Sequence, residues 1–286
     1  MGKIVLITAF VSVIIIACNN NTTQKIDSNE DTLEVISKEE QIFQVPSPDE
    51  FINLLKEAKA EFVSNITVPE NYNYVDPLKQ KIILGVYVSD MAYLATYNKF
   101  QETVRYFAKV KQISEQIGIL QVIDKSTFDR LEQNVTNVDS ITSITNNSFY
   151  NIVDKIQQND DGKTLALISY GGWIESMYIA TELAGNFSQQ NQVIQQIASQ
   201  KIVLNNLIKM FESLKDKSNV DEIISNLKKL LEAMNDIKAE VVEVQTKADT
   251  SKVIIGGKTK YFIDKSTYQN IRNIIKSIRE EIIKPA

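Results

Sequence analysis

Asp76-Pro77-Leu78-Lys79-Gln80-Lys81-Ile82-Ile83-Leu84-Gly85-Val86-Tyr87-Val88-Ser89-Asp90-Met91-Ala92-Tyr93-Leu94-Ala95-Thr96-Tyr97-Asn98 is the stretch that decides the fold class. It opens on an N-cap residue, Asp76, with proline at the first helical position, where a missing N–H does no harm. Leu78, Ile82, Ile83, Val86, Tyr93, Leu94 and Tyr97 then recur at helical spacing. The next stripe, Phe100, Val104, Phe107, Val110, Ile113 and Ile117, keeps that period and stops at Gly118. Unbroken, the two would run about 60 Å at 1.5 Å per residue, so a turn or kink is expected near Asn98.

The same signals recur on both sides. Ser47-Pro48-Asp49-Glu50 is a capping box ahead of Phe51, Leu54, Leu55, Ala58 and Phe62. Ser126 opens a helical segment to about Gln158 with a break near Asn137, and Asn159-Asp160-Asp161-Gly162 reads as a turn. Three more helical stretches cover 163–184, 189–216 and 220–240. Residues 241–265 differ: Val241 to Val244 and Val253 to Ile255 are rich in β-branched residues, and Gly256-Gly257 is a turn signal. A short β-hairpin or an extended crossover is expected there. Ser266-Thr267-Tyr268-Gln269 makes a further capping box for a last helix to about Ile283. The fold class is therefore all-α, a multi-helix bundle with a short β-hairpin, or an extended crossover in its place, near the C-terminus. Ile123-Asp124-Lys125-Ser126-Thr127-Phe128 and Ile263-Asp264-Lys265-Ser266-Thr267-Tyr268 are near copies. They fit either an internal duplication or two good helix starts.

Composition excludes several chemistries. The 286 residues are 43% hydrophobic and 23% charged, enough for a substantial core. There is no histidine and one cysteine, which removes Ser-His-Asp and Cys-His nucleophiles, His-ligated metals and an internal disulfide framework. A net charge of −5 and a pI of about 5.1 argue against a nucleic-acid binder. Lys209 to Lys217 and Lys228 to Lys238 alternate with Glu and Asp at helical spacing and read as solvated faces. Asn159-Asp160-Asp161-Gly162 is far shorter than an EF-hand loop, and neither a metal nor a cofactor is implied.

The first eighteen residues carry an address. Met1-Gly2-Lys3 precedes a fourteen-residue apolar run, Ile4 to Ala17. At about 21 Å it falls short of the roughly 30 Å hydrocarbon core and reads as a signal-peptide h-region. The run ends Ile15-Ile16-Ala17-Cys18, which resembles a bacterial lipobox. That resemblance implies cleavage before Cys18, diacylglycerol on its sulfur and acylation of the new amine, enough chains for stable anchoring. Cleavage removes Lys3, leaving 30 basic against 36 acidic residues and a net charge of −6. Asn19 to Pro46 is polar, with one aromatic residue, Phe43, and reads as a flexible tether reaching about 30 Å. Asn19, rather than Asp, after the cysteine favours the outer membrane by analogy with enterobacterial sorting, with the body facing the periplasm. The expected organisation is thus signal peptide 1–17, acylated cysteine and tether 18–46, and helical domain 47–286.

Gly85-Val86-Tyr87-Val88-Ser89-Asp90-Met91-Ala92-Tyr93 and Ile168-Ser169-Tyr170-Gly171-Gly172-Trp173-Ile174-Glu175, behind a lipobox, resemble a family of uncharacterised Bacteroidetes lipoproteins with Asp-x-x-Tyr and Gly-Gly-Trp-Ile-Glu helices. Arginine occurs only at 105, 130, 272 and 279 among abundant Ile, Asn and Lys, in keeping with an AT-rich genome. The resemblance implies an envelope address and a helical fold; it carries no activity.

Two adjacent glycines inside a helix cost roughly 0.5–1 kcal/mol each relative to alanine, so Gly171 and Gly172 need a reason. Close helix packing, a kink, or room for a ligand beside Trp173 and Glu175 would each supply one. Asp90 and Glu175 lie on mostly apolar faces and suit either an acid/base pair or a structural role, capping a neighbouring helix or accepting a Tyr hydroxyl. Asp90, Tyr93, Tyr97, Gly171, Gly172, Trp173, Glu175 and Tyr178 together form the candidate ligand pocket, and Cys18 the lipid attachment site. The leading expectation is a binding or scaffold module, not an enzyme. It would be held to the membrane through acyl chains on Cys18 and would meet an envelope protein or a small ligand. The alternative is a hydrolase or lyase using Asp90 and Glu175.

Overall fold

A computed structural model describes residues 48–119, 161–243 and 257–285, with residues 129, 130, 133, 134, 137 and 140. The signal peptide, Cys18, the tether, most of the expected 126–158 segment and the first of the two near-copies lie outside the described residues. So does the Val253 to Ile255 run.

The chain folds as helix α1 (Pro48–Glu57), α2 (Pro77–Thr96), α3 (Phe100–Gln116), α4 (Gly162–Ala184), α5 (Gln192–Ser199), α6 (Lys201–Glu212) and α7 (Asp221–Ala233), then strands β1 (Lys238–Glu243) and β2 (Gly257–Phe262), then α8 (Lys265–Ile283). This is the expected helical bundle with a short antiparallel hairpin. No helix among the described residues is long and apolar enough to cross a membrane.

Helices α2 and α4 are buried on nearly every side; α1, α3, α5, α6 and α8 lie against them, and α7 packs on α6 and α8. The two central helices meet backbone to backbone. A Cβ on Gly85 would overlap the carbonyl oxygen of Ile168 and lie 2.6 Å from the amide nitrogen of Gly172. A Cβ on Gly171 would overlap the carbonyl oxygen of Ile82, with the carbonyl carbon at 2.7 Å. Only glycine permits that approach. The Ser89 hydroxyl donates to the Gly172 carbonyl at 2.8 Å and accepts from Ser176 at 3.2 Å, so the crossing is also hydrogen-bonded.

Helix α2 ends where the spacing required. Asn98 takes φ 60°, its N–H reaches Ala95 and that of Lys99 reaches Leu94, which folds α3 back against α2. Helix α8 runs antiparallel to α4. Tyr268 donates to the carbonyls of Thr181 and Gly185, Arg272 pairs with Glu182, and Arg279 pairs with Glu175.

Boundaries differ from expectation at several places. The 189–216 stretch is two helices, with the chain turning at Gln200, whose N–H bonds Ile197 three residues back. Gln200 is thereby buried as the acceptor of the Trp173 indole N–H at 3.3 Å, a partner that a buried indole needs. The 220–240 stretch leaves the helix after Ala233, and β1 begins at Lys238. Asn235 and Asp236, whose short polar side chains compete with helical hydrogen bonds, sit at that exit. Gly257 is not a tight-turn residue: it pairs with Glu243 as the first residue of β2. The last helix is capped two residues earlier than expected, by Asp264, which accepts the Thr267 N–H at 2.7 Å. The hairpin is moored by Gln195 of α5, whose side-chain amide pairs with both backbone groups of Tyr261 at 2.8 Å.

Candidate functional site

Between α1 and α2 the chain crosses the bundle as a strap, residues 58–76, that contains neither helix nor strand. Ile66 and Val68 are nonetheless buried, and buried backbone N–H and C=O groups outside regular structure must find partners elsewhere. Polar side chains on the helices provide them. The Tyr93 hydroxyl accepts the Val63 N–H at 2.8 Å and donates to the Val63 carbonyl at 2.9 Å. Tyr97 donates to Ala60, Tyr87 to Pro69 and Tyr106 to Val68. Asp90, Tyr93 and Tyr97 stand at i, i+3 and i+7, one face of α2, and all three hold the strap. Phe62, from the strap, stacks on Tyr93 at 5.3 Å between ring centroids.

At the centre of this seam lies a group of three ionisable side chains. Asp90 and Glu175 are both 0% exposed, and Arg279 of α8 is 7% exposed. Arg279 grips Glu175 with two parallel bonds, Nε to Oε2 at 2.7 Å and Nη2 to Oε1 at 2.8 Å. Its Nη2 also donates to the Ile66 carbonyl at 2.8 Å, and its guanidinium lies 3.9 Å above the Tyr178 ring. Burial works against the charge on Arg279, but the attraction and hydrogen bonds of Glu175 outweigh it and push its pKa up. Asp90 Oδ2 accepts the Val68 N–H at 2.9 Å, whereas the buried Oδ1 accepts no N–H or O–H from the described residues. Burial, with Glu175 beside it, holds the Asp90 carboxyl well above the ordinary carboxylate range, against the opposing pull of the Val68 N–H and Arg279. Burial likewise pushes Tyr93 up to about 12 and raises Tyr74, Tyr87 and Tyr106.

The sequence candidates thus divide. Asp90, Glu175 and Tyr178 are brought together, with Tyr93 and Tyr97 following along the same strap. Gly171 and Gly172 sit at the helix crossing, and Trp173 faces away, toward Gln200. The residue that sequence reasoning missed is Arg279, which joins Glu175 to the strap. Its signal is one of four arginines in a lysine-rich chain, set among Ile271, Ile275, Ile278 and Ile282 of an apolar helix face.

Open concavities lie elsewhere. A groove of about 760 Å³ runs between the N-termini of α2 and α4 and the α6–α7 turn, with Leu78, Leu165 and Met210 in its lining and Lys81 and Lys163 also along it. A second groove, about 230 Å³, shares Asp76, Leu78 and Asn219 with it and reaches Tyr170 and Ile278. Lys163 already bridges Asp216 at 2.7 Å and Ser218 at 2.9 Å. No protein-family model matches the chain, and neither a curated protein nor a solved structure matches it.

Proposed function

We propose that the protein is a lipid-anchored helical module of the outer membrane, facing the periplasm, that binds or scaffolds an envelope partner or a small ligand. The observation that carries the reading is Ile15-Ile16-Ala17-Cys18 at the end of a fourteen-residue apolar run, with the chain's only cysteine at the acylation position. A polar stretch, Asn19 to Pro46, follows and suits a tether between acyl chains and body. Binding is favoured over catalysis by the state of the carboxylates. A general acid or base must come within hydrogen-bond reach of its substrate. Asp90 and Glu175 are fully buried, and both Glu175 oxygens are occupied by Arg279. The alternative, a hydrolase or lyase using these two groups, has their proximity in its favour and requires the strap to lift off first.

Cys18→Ser should leave the precursor without lipid and move the protein out of the membrane fraction. Metabolic labelling with palmitate checks this. Label still incorporated into the substituted protein would sink the anchored reading.

A further inference from the structure

We propose that Asp90 keeps its proton on Oδ1 and donates it to Glu175, so that a single proton latches the strap to the bundle and the latch loosens as pH rises. The inference is independent of the envelope address proposed above. Geometry carries it. Three ionisable side chains meet in one sealed site, two acids and one base. With every group ionised, the site would hold an uncompensated negative charge away from water, which is strongly unfavourable. With one proton retained the cluster is neutral. Glu175 is the partner of the guanidinium, through both of its oxygens. Asp90 is the acid left over, with one oxygen taken by the Val68 N–H and the other lacking any donor. An oxygen that accepts nothing, placed beside a carboxylate, is where a carboxylic proton belongs.

The groups that face Asp90 from the surrounding elements do not remove this need. Tyr87 and Tyr93 from α2, Tyr106 from α3 and Tyr74 from the strap are phenols that stay neutral well into the alkaline range, as is Tyr178 of α4 beneath the Arg279 guanidinium. Arg279 from α8 is the one cation of the cluster among the described residues, and Glu175 already holds it. When the proton leaves Asp90 Oδ1 for bulk water, two carboxylates face each other against one guanidinium. The strap attachments at Val68 and Ile66 lie on those same groups.

The sign follows from linkage. A carboxyl whose pKa is raised by folding binds its proton more tightly in the folded state than in the unfolded one. Its stabilising effect is complete in acid, below the ordinary carboxylate pKa, and is lost as pH climbs toward the folded-state value. Asp90→Asn imitates the protonated acid: the amide oxygen accepts from Val68, and the NH2 group donates toward Glu175. The test is the folding equilibrium constant of the full chain and of Asp90→Asn, measured by urea denaturation from acid to alkaline pH. The two proteins should agree in acid and then part. The wild type should lose up to tenfold in folding constant per pH unit relative to the variant, until the difference levels off. Infrared spectra of the wild type with carbon-13-labelled aspartate should retain a carboxylic-acid carbonyl band at neutral pH. That band should be missing from Asp90→Asn. Parallel pH profiles, a variant less stable than wild type at every pH, or a fully ionised aspartate spectrum at neutral pH would each overturn the proposal.

Discussion

Arg279→Met is expected to destabilise the fold by about 3–5 kcal/mol, the effect of stripping the partner from a buried charge. Three losses coincide at this one position. Glu175 keeps its place at 0% exposure without its counter-charge and the two hydrogen bonds from the guanidinium, the Ile66 carbonyl loses its donor, and Tyr178 loses the guanidinium above its ring. Methionine fills most of the space of the arginine stem, so cavity formation contributes little and the measured cost reports on charge and hydrogen bonding. The strap should suffer first, because Ile66 and Val68 are held by this cluster. Urea denaturation gives the magnitude, and amide exchange over residues 60–69 should rise more than exchange in α6 or α7. A variant within about 1 kcal/mol of wild type, the range of an exposed ion pair, would mean that Arg279 is not sealed in as described.

Gly171→Ala and Gly85→Ala should each lower stability by at least the upper part of the roughly 1–3 kcal/mol range for overpacking. The added methyl group meets carbonyl groups of the opposing helix in both cases, not the movable end of a side chain. Relief therefore requires the two central helices to separate. At an exposed helical position the same change would stabilise by roughly 0.4–1 kcal/mol, so the sign of the effect is itself informative. Gly171 lies two residues before Trp173, the only tryptophan, whose indole donates to Gln200. Parting of α2 and α4 should therefore appear in its fluorescence as well as in the melting temperature. An alanine variant that melts higher with an unchanged spectrum would contradict the close crossing.

The helices were legible because their signals are local. Asp76-Pro77, the stop at Asn98, the stop at Gly118 and the 3.6-residue stripes each involve residues within a few turns of one another. Gly171 and Gly172 stood out because a buried helix of large residues has no local use for them. Gly85, equally close to its neighbour, sits alone and gave no such alert. The carboxylates could be picked out by their apolar faces, but their counter-ion could not: Arg279 is 104 residues from Glu175 and 213 from Ile66 in the chain. The strap was invisible for a related reason. Ala58 and Phe62 continue the stripe of α1 in the sequence although that helix ends at Glu57, and the strap's backbone is satisfied by side chains from α2, α3 and α8. The turn at Gln200 contains neither glycine nor proline, since what fixes it is a tertiary contact with Trp173.

The buried Glu175–Arg279 pair clamps α4 to α8 and, through Ile66, to the strap, each side chain depending on the other. A double-mutant cycle with Glu175→Met, Arg279→Met and the two combined, followed by urea denaturation, tests this most directly. Each single change leaves a buried group unpaired, whereas the double change replaces the pair by apolar side chains that need no partners. The expected result is a double variant that still folds and costs clearly less than the sum of the two singles. Costs that simply add would mean that the two side chains do not depend on each other in the folded protein, and would contradict the clamp.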